Sequence, residues 1–382
     1  MIPVHVLGLC LSNRSPFPIM PLFRFCFVAC LATTFSLIPA VTYSKPTQTE
    51  TVDATFRRAA PLPKWTQPLA DIPETKRDDA VVVRLQETQT LVGDSPATLI
   101  NRAIQVNEKN SLNQIGEVSL TYYPIYQKLL LHRVVILRGG KLIDHTATVG
   151  IRILQRESNM ESGMYGGATT VHLLLDDVRV GDTLWLSYTR EGANPVFGKR
   201  WSEEYGWDSL EPIELRRLTV LHSTQRALYW RQLGNFRREE IKPQIEQFGG
   251  MESMRFEQRG IEPLDSEDAI PSDYLPGRML QFSEYQDWQA VATWADGLFP
   301  KVGNSAALKN LADQFAKEST PATRASAALR WVQNEVRYFS VSIGENSHRP
   351  QAPETVIAHG YCHRAQQMDS CAPAYSARQG NR

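Results

Sequence analysis

The chain has 382 residues, enough for two or three domains. Hydrophobic residues make up 42% and charged residues 21%, the balance of a globular protein rather than a disordered or fibrous one. Forty-one basic residues are matched by forty-one acidic ones, so the charge gives no reason to expect nucleic acid or an anionic membrane surface as partner.

Residues 1–44 read as a secretory signal peptide. Arg24 precedes an apolar run over 25–38, and small residues follow around Ala40 and Ser44. The run is short for a membrane span and Pro39 would break it, which favours cleavage over retention as an anchor. The expected location is therefore periplasmic or secreted, with membrane contact only through an uncleaved leader. Cysteine usage agrees: Cys10, Cys26 and Cys30 fall in the leader, Cys362 and Cys371 near the end, and none between 45 and 361. That spacing excludes a disulfide framework and a cysteine-ligated metal site from the body.

Residues 45–79 form a linker. Pro46, Pro61, Pro63, Pro68 and Pro73 interrupt it and apolar periodicity is missing, so extended or partly disordered chain is expected. Residues 80–260 carry β signals. Val81, Val83 and Leu85 alternate with polar partners, as do Val118, Leu120 and Tyr122. A third run over 131–137 meets Gly139-Gly140 and returns through Leu142-Ile143, a hairpin signature. Further strands are expected over 171–175, 184–188, 215–221 and 227–233. Many short strands separated by turns imply an antiparallel β-sandwich.

Chemistry in this region is thin. His132, His145, His172 and His222 are scattered among strands, where packing or solvation explains a histidine better than catalysis or ligation. Trp201, Tyr205 and Trp207 offer either an aromatic surface for sugar or peptide or loop packing over the sandwich edge. Gly163, Gly166 and Gly167 mark a turn without the Lys-Ser/Thr of a phosphate loop.

Residues 261–282, with Pro263, Pro271 and Pro276, read as a second linker. Helices follow, with apolar faces made by Trp288, Val291, Ala292, Ala295 and Leu298, then by Leu308, Leu311 and Phe315. Thr320-Pro321 supplies an N-cap and a first-turn proline for a helix carrying Ala325, Ala328, Leu329, Val332 and Val336. After Arg337-Tyr338 the pattern turns strand-like through Phe339, Val341 and Ile343 to Gly344. Turns at Arg349-Pro350 and Pro353-Glu354 then lead through Val356-Ile357 to Gly360-Tyr361.

This arrangement resembles the front half of a bacterial transglutaminase-like domain, a papain-like cysteine fold, over residues 283–361. The Val-Gly-Asp-Thr turn at 180–183 is similar to one in the β domain of unknown function that precedes such domains in exported proteins. The resemblance implies an α+β chain: an N-terminal antiparallel β-sandwich followed by the helical front half of a transglutaminase-like domain. It also implies thiol acyl transfer on extracytoplasmic peptide amides, by a Cys-His-Asp site whose cysteine opens a helix. The family's Tyr-Gly-Asp-Cys fails here: Cys362 follows Tyr361 directly, two places early, as a truncation or frameshift would leave it. His363 is adjacent, so its side chain diverges, and His359 could help only by folding back. Residues 362–382 contain no Val, Ile, Leu or Phe and read as a disordered tail off the family pattern. Cys362 is thus the one catalytic candidate, out of register, and the expectation is an exported, catalytically inactive member of the family. No cofactor and no metal are expected, and the expected partners are peptide, protein or glycan outside the cytoplasm.

Overall fold

The structure, a computed structural model, describes residues 54–154, 164–165, 167–234, 238–265, 274–301, 303, 305–338, 340–341 and 344–362. The signal peptide, Gly163, Gly166, Phe339, Ile343, His363 and the rest of the tail, Cys371 included, lie outside the described residues. The described chain is dominated by β-sheet, with few helices.

The first half runs through β1 (Phe56–Arg57), β2 (Val81–Leu91), β3 (Ala97–Val106), β4 (Glu117–Tyr122), β5 (Lys128–Arg138), β6 (Lys141–Asp144) and β7 (Gly150–Leu154). Then come β8 (Met164–Tyr165), β9 (Thr169–Leu174), β10 (Thr183–Glu191), β11 (Ser202–Gly206), β12 (Ile213–Ser223), β13 (Tyr229–Gly234), β14 (Gln244–Phe248), β15 (Met251–Ile261) and β16 (Arg278–Ser283). Helices α1 (Trp288–Asp296), α2 (Ala306–Phe315) and α3 (Pro321–Glu335) follow. The described chain closes with β17 (Arg337–Tyr338), β18 (Ser340–Val341), a 3-10 turn (Gly344–Ser347), α4 (Pro353–His359) and β19 (Tyr361–Cys362).

One large sheet has the order β1-β5-β10-β3-β2-β12-β15-β14, with β6 paired to β5. Its pairings are antiparallel except β1 with β5 and β2 with β12. Two three-stranded sheets, β4-β9-β7 and β11-β16-β13, supply the layers over it. Leu120, Tyr122, Val171 and Leu173 of the first pack with Ile104, Val106, Leu184 and Leu186 of the large sheet. Leu280 and Phe282 of the second pack with Leu218, Val220, Met254 and Phe256. Both layers cover the same face. Leu186 pairs with Arg102, Arg102 with Gln86, and Gln86 with Arg216, so side chains along this row share a side. Ile104 and Val106 have the parity of Arg102, and Leu218 and Val220 that of Arg216.

The strand expected from Val81, Val83 and Leu85 forms, but not with one continuous apolar face. The register between β2 and β3 shifts between Val83 and Leu85. The extra residue, Arg84, turns the chain over. Val83 joins the core beneath the second layer, whereas Leu85 points to the opposite face with Ala103, Leu215 and Ala70.

Earlier in the first linker Phe56–Arg57 pair with β5 as β1, and residues 66–79 then run along that opposite face. Pro68 and Pro73 interrupt this stretch, and side chains of the sheet bond its backbone. Ala70 donates its N–H to Glu87 Oε2 at 3.0 Å, and Gln67 donates to Gln89 Oε1 at 2.8 Å. The Pro73 carbonyl accepts from Arg84 Nε at 2.8 Å, and Asp79's from Asn107 at 2.9 Å. Residues 66–79 are therefore a strap laid across the sheet, and the fully buried Glu87 is its central anchor. The second linker also differs from expectation, because it ends in β16, the middle strand of its sheet. Leu280 and Phe282 on β16 are essentially inaccessible.

The helices start where capping chemistry puts them. Asp287 accepts from Ala290 N–H, Ser305 from Leu308 N–H, and Thr320 forms a capping box with Thr323 ahead of Pro321. None of the residues of α1 and α2 is buried; α3 buries Ala328 and Val332. The segment expected as an approach to Gly360 is helical over α4, and Gly360 ends it at φ 70° with its N–H on the Val356 carbonyl.

Candidate functional site

Cys362 sits at the end of the described chain, in β19, which runs parallel to β17 with Tyr338 opposite Cys362. The approach is fixed by Arg337, whose N–H reaches the Gly360 carbonyl at 2.9 Å. The side chain is fully buried with Val332, Val336 and Val356, and Trp331 packs beside them. Burial in these apolar surroundings raises the thiol pKa above its ordinary value. A nucleophilic cysteine needs the reverse, an electropositive site and a helix N-terminus that favour the thiolate. Cys362 lies in a two-residue strand that follows α4.

His359 does not supply a base. Its ring stacks on Tyr361, with centroids 5.3 Å apart and planes 20° from parallel. Tyr361 and Cys362 are neighbours in a strand and point to opposite sides, so the imidazole lies across the strand from the thiol. Among the described residues no group of three or more His, Cys, Asp or Glu could hold a metal ion.

The helical segment meets the β layers through an aromatic contact that sequence reading missed. Phe197 stacks on Trp294 at 5.5 Å and meets the edge of His348 at 4.9 Å. Trp294 Nε1 donates to the Val196 carbonyl at 3.0 Å, and Asn194 Nδ2 donates to Ser347 Oγ at 2.8 Å. Ser347 also lies 2.8 Å from His348 Nδ1. Its hydroxyl is tied as well to the Gly344 carbonyl within its own turn, which makes this pair a turn-fixing contact.

The remaining candidates are structural. His132 places Nδ1 2.9 Å from the Ala60 carbonyl, so that nitrogen donates and Nε2 accepts from Thr189 Oγ1 at 2.7 Å. Burial lowers its pKa. His172 meets Ser119 and His222 meets Glu252. Trp201 and Trp207 are buried in the second core, and Tyr205 packs against it with its OH 2.7 Å from Thr90 Oγ1. The trio therefore packs in and against a core between sheets, rather than forming an open aromatic surface or covering the sandwich edge as a loop.

The sequence profile of the Domain of Unknown Function with solved structure, DUF3857, matches residues 75–265, half of the chain. The chain belongs to the DUF3857 family. The matched DUF3857 region holds the large sheet from β2 onward and most of both covering layers. No curated protein matches the chain. Among solved structures, a proposed protease from Parabacteroides distasonis superposes with a TM-score of 0.66 at 12% identity, covering 79% of this chain and 60% of that one. The chain thus spans about 60% of that protein's length, and the shared fold runs past the DUF3857 domain. An M1 zinc metallopeptidase from Deinococcus radiodurans aligns at a TM-score of 0.28 and 10% identity over 53% of this chain and 42% of its own, too low to carry any argument.

Proposed function

We propose that this DUF3857 protein is an exported member of the transglutaminase-like, peptidase-related group, and that in its present form it does not perform thiol acyl transfer. The first half of the reading is supported by the order of elements, in which the β layers, three helices and an Arg-Tyr junction lead to Cys362. The fold shared with a proposed protease beyond residues 75–265 also supports it. The second half rests on one observation: Cys362 is sealed among Val332, Val336 and Val356, with its thiol pKa raised by burial. A buried thiol presents little thiolate at neutral pH and no surface for an amide to approach. The protein then works as an extracytoplasmic binding module for peptide, protein or glycan.

A pH series of iodoacetamide labelling, read site by site by mass spectrometry, tests this. Cys362 is expected to label much more slowly in the native protein than in urea at every pH, and Cys362→Ser is expected to leave an amide-transfer assay at background. Rapid native labelling of Cys362 below neutral pH, with transfer activity lost in Cys362→Ser, would make the chain a thiol acyl-transfer enzyme instead.

A further inference from the structure

The two cores on the covered face of the large sheet do not merge. Between them lies a polar row: Leu186 of the first core, then Arg102, Gln86 and Arg216 on adjacent strands, then Gln258, which accepts from Trp207 Nε1 of the second core. Two guanidinium groups therefore issue from β3 and β12 on one side of the sheet, with only β2 between them. Neighbouring strands are about 4.8 Å apart, so their Cα atoms are separated by roughly 10 Å, well within reach of two arginines converging on one small group.

Several other arginines of the β layers end on carboxylates, although Arg133 lies over the Trp185 ring and Arg231 bonds Gln281 instead. Arg84 reaches Glu74, Arg138 reaches Asp182, Arg217 reaches Glu257, Arg226 reaches Glu284, and Arg278 reaches Asp208. Among the described residues, neither Arg102 nor Arg216 has a carboxylate within ion-pairing distance. Arg102 Nε is shut off from solvent and has no hydrogen-bond partner. Arg216 donates to the Gly206 carbonyl and lies over the Trp207 ring, 5.3 Å from its centroid. Of the nearby acids, Asp208 pairs with Arg278 and Arg238, whereas Glu211 accepts from the Ser209 hydroxyl and keeps a charge that acts on Arg102 from beyond ion-pairing distance. The arginines also feel each other. Burial, then the charge of Arg102, holds Arg216 down to about 10, and burial lowers Arg102 against the partial relief of Glu211 and Tyr188. Two like charges in one row of the sheet, one with an orphaned donor, are a poor structural device and a good receptor.

We propose that Arg102 and Arg216 form an anion-binding site in the seam between the two cores, one that takes a single compact oxyanion, a carboxylate or a phosphate. The forked donors of Arg102 match either group, and Arg216 adds a second charge from across β2. Both side chains and Gln86 between them are only partly buried, so the seam opens to solvent. Farther along the same face Tyr205 bonds Thr90, which also meets Thr98, and this ties β11 of the second layer to β2 and β3 of the large sheet.

The test is thermal melting of the full chain in inorganic phosphate and, separately, in acetate, each against sodium chloride at matched ionic strength. A bound oxyanion is expected to raise the melting temperature saturably by about 2–4 °C. A rise with phosphate alone assigns a tetrahedral ligand, with acetate alone a carboxylate, and with both the shared chemistry. Arg102→Gln is expected to melt higher than wild type in chloride, because a repulsion is removed, and to lose the oxyanion-dependent rise. Arg102→Lys keeps charge without the fork and retains a weakened rise, while Arg259→Gln, at an exposed position of β15, retains it fully. The proposal is overturned by the absence of any rise beyond chloride with either anion, or by an equal rise in Arg102→Gln. It is also overturned if Arg102→Gln is less stable than wild type in chloride, since the guanidinium would then be a structural prop.

Discussion

The β layers and the helical segment were built by the same chain but finished to different degrees. In the β layers Trp207, Tyr122, Phe256 and Phe282 are fully buried, and even the polar Glu87 and Asn101 have partners. In the helical segment α1, α2 and α3 each carry a side-chain N-cap, yet α1 and α2 bury no residue, and Trp288, Phe299 and Leu329 are 58%, 48% and 49% exposed. Among the described residues its core is the small cluster of Val332, Val336, Val356 and Cys362. Capping chemistry is local and costs the helices nothing to satisfy; burial needs an opposing layer. Helix formation and helix packing are therefore separate achievements, and this segment shows the first without much of the second.

The largest test of this contrast is where the β layers end. A fragment of residues 54–286 is expected to melt as one cooperative unit without the helices. A fragment of residues 54–260 loses β16, the strand between β11 and β13, and with it the buried Leu280 and Phe282. It is expected to show no cooperative melt by circular dichroism, and equal melts for the two fragments would break the contrast.

A smaller effect is expected at Asp208, whose side chain is inaccessible and held by Arg278 at 2.7 Å and Arg238 at 3.1 Å. Burial alone would push its carboxyl pKa up, but the hydrogen bonds and charges of Arg278, with Arg238, outweigh it and the net shift is downward. A lowered folded pKa gives stability that is complete above the unfolded value near ~3.9 and is lost as pH falls through the folded one. Asp208→Asn is expected to cost about 3–5 kcal/mol at pH 7, chiefly the cost of leaving the buried Arg278 guanidinium underpaired. In urea titrations the gap between variant and wild type should close below about pH 4. A gap that does not change with pH would remove the ion pair from the account.

The smallest effect is expected at Leu329. Leu329→Ala on the half-exposed face of α3 should change stability by no more than about 0.5 kcal/mol. A loss above about 1.5 kcal/mol would mean that this face is covered in solution.

What the sequence determined by itself was local. Period-two apolar runs placed β4, β5, β9, β10 and β12, and Gly139-Gly140 marked the β5–β6 hairpin. Thr320-Pro321 marks the start of α3 because a cap needs only its own first turn. What the tertiary structure decided was every feature that needs a partner distant in sequence. The bulge at Arg84 splits Val83 from Leu85, a proline-broken linker becomes a strap because Glu87 and Gln89 reach it, and residues 278–283 become a central strand once β11 and β13 flank them. Cys362, next to Tyr361 in a polar stretch, is buried because Val332 and Val336 of one helix and Val356 of another close over it. Arg102 and Arg216 stand 114 positions apart in the numbering, and only their shared register on Gln86 brings them to one seam. Periodicity is written along the chain, whereas burial and charge proximity depend on which strands become neighbours.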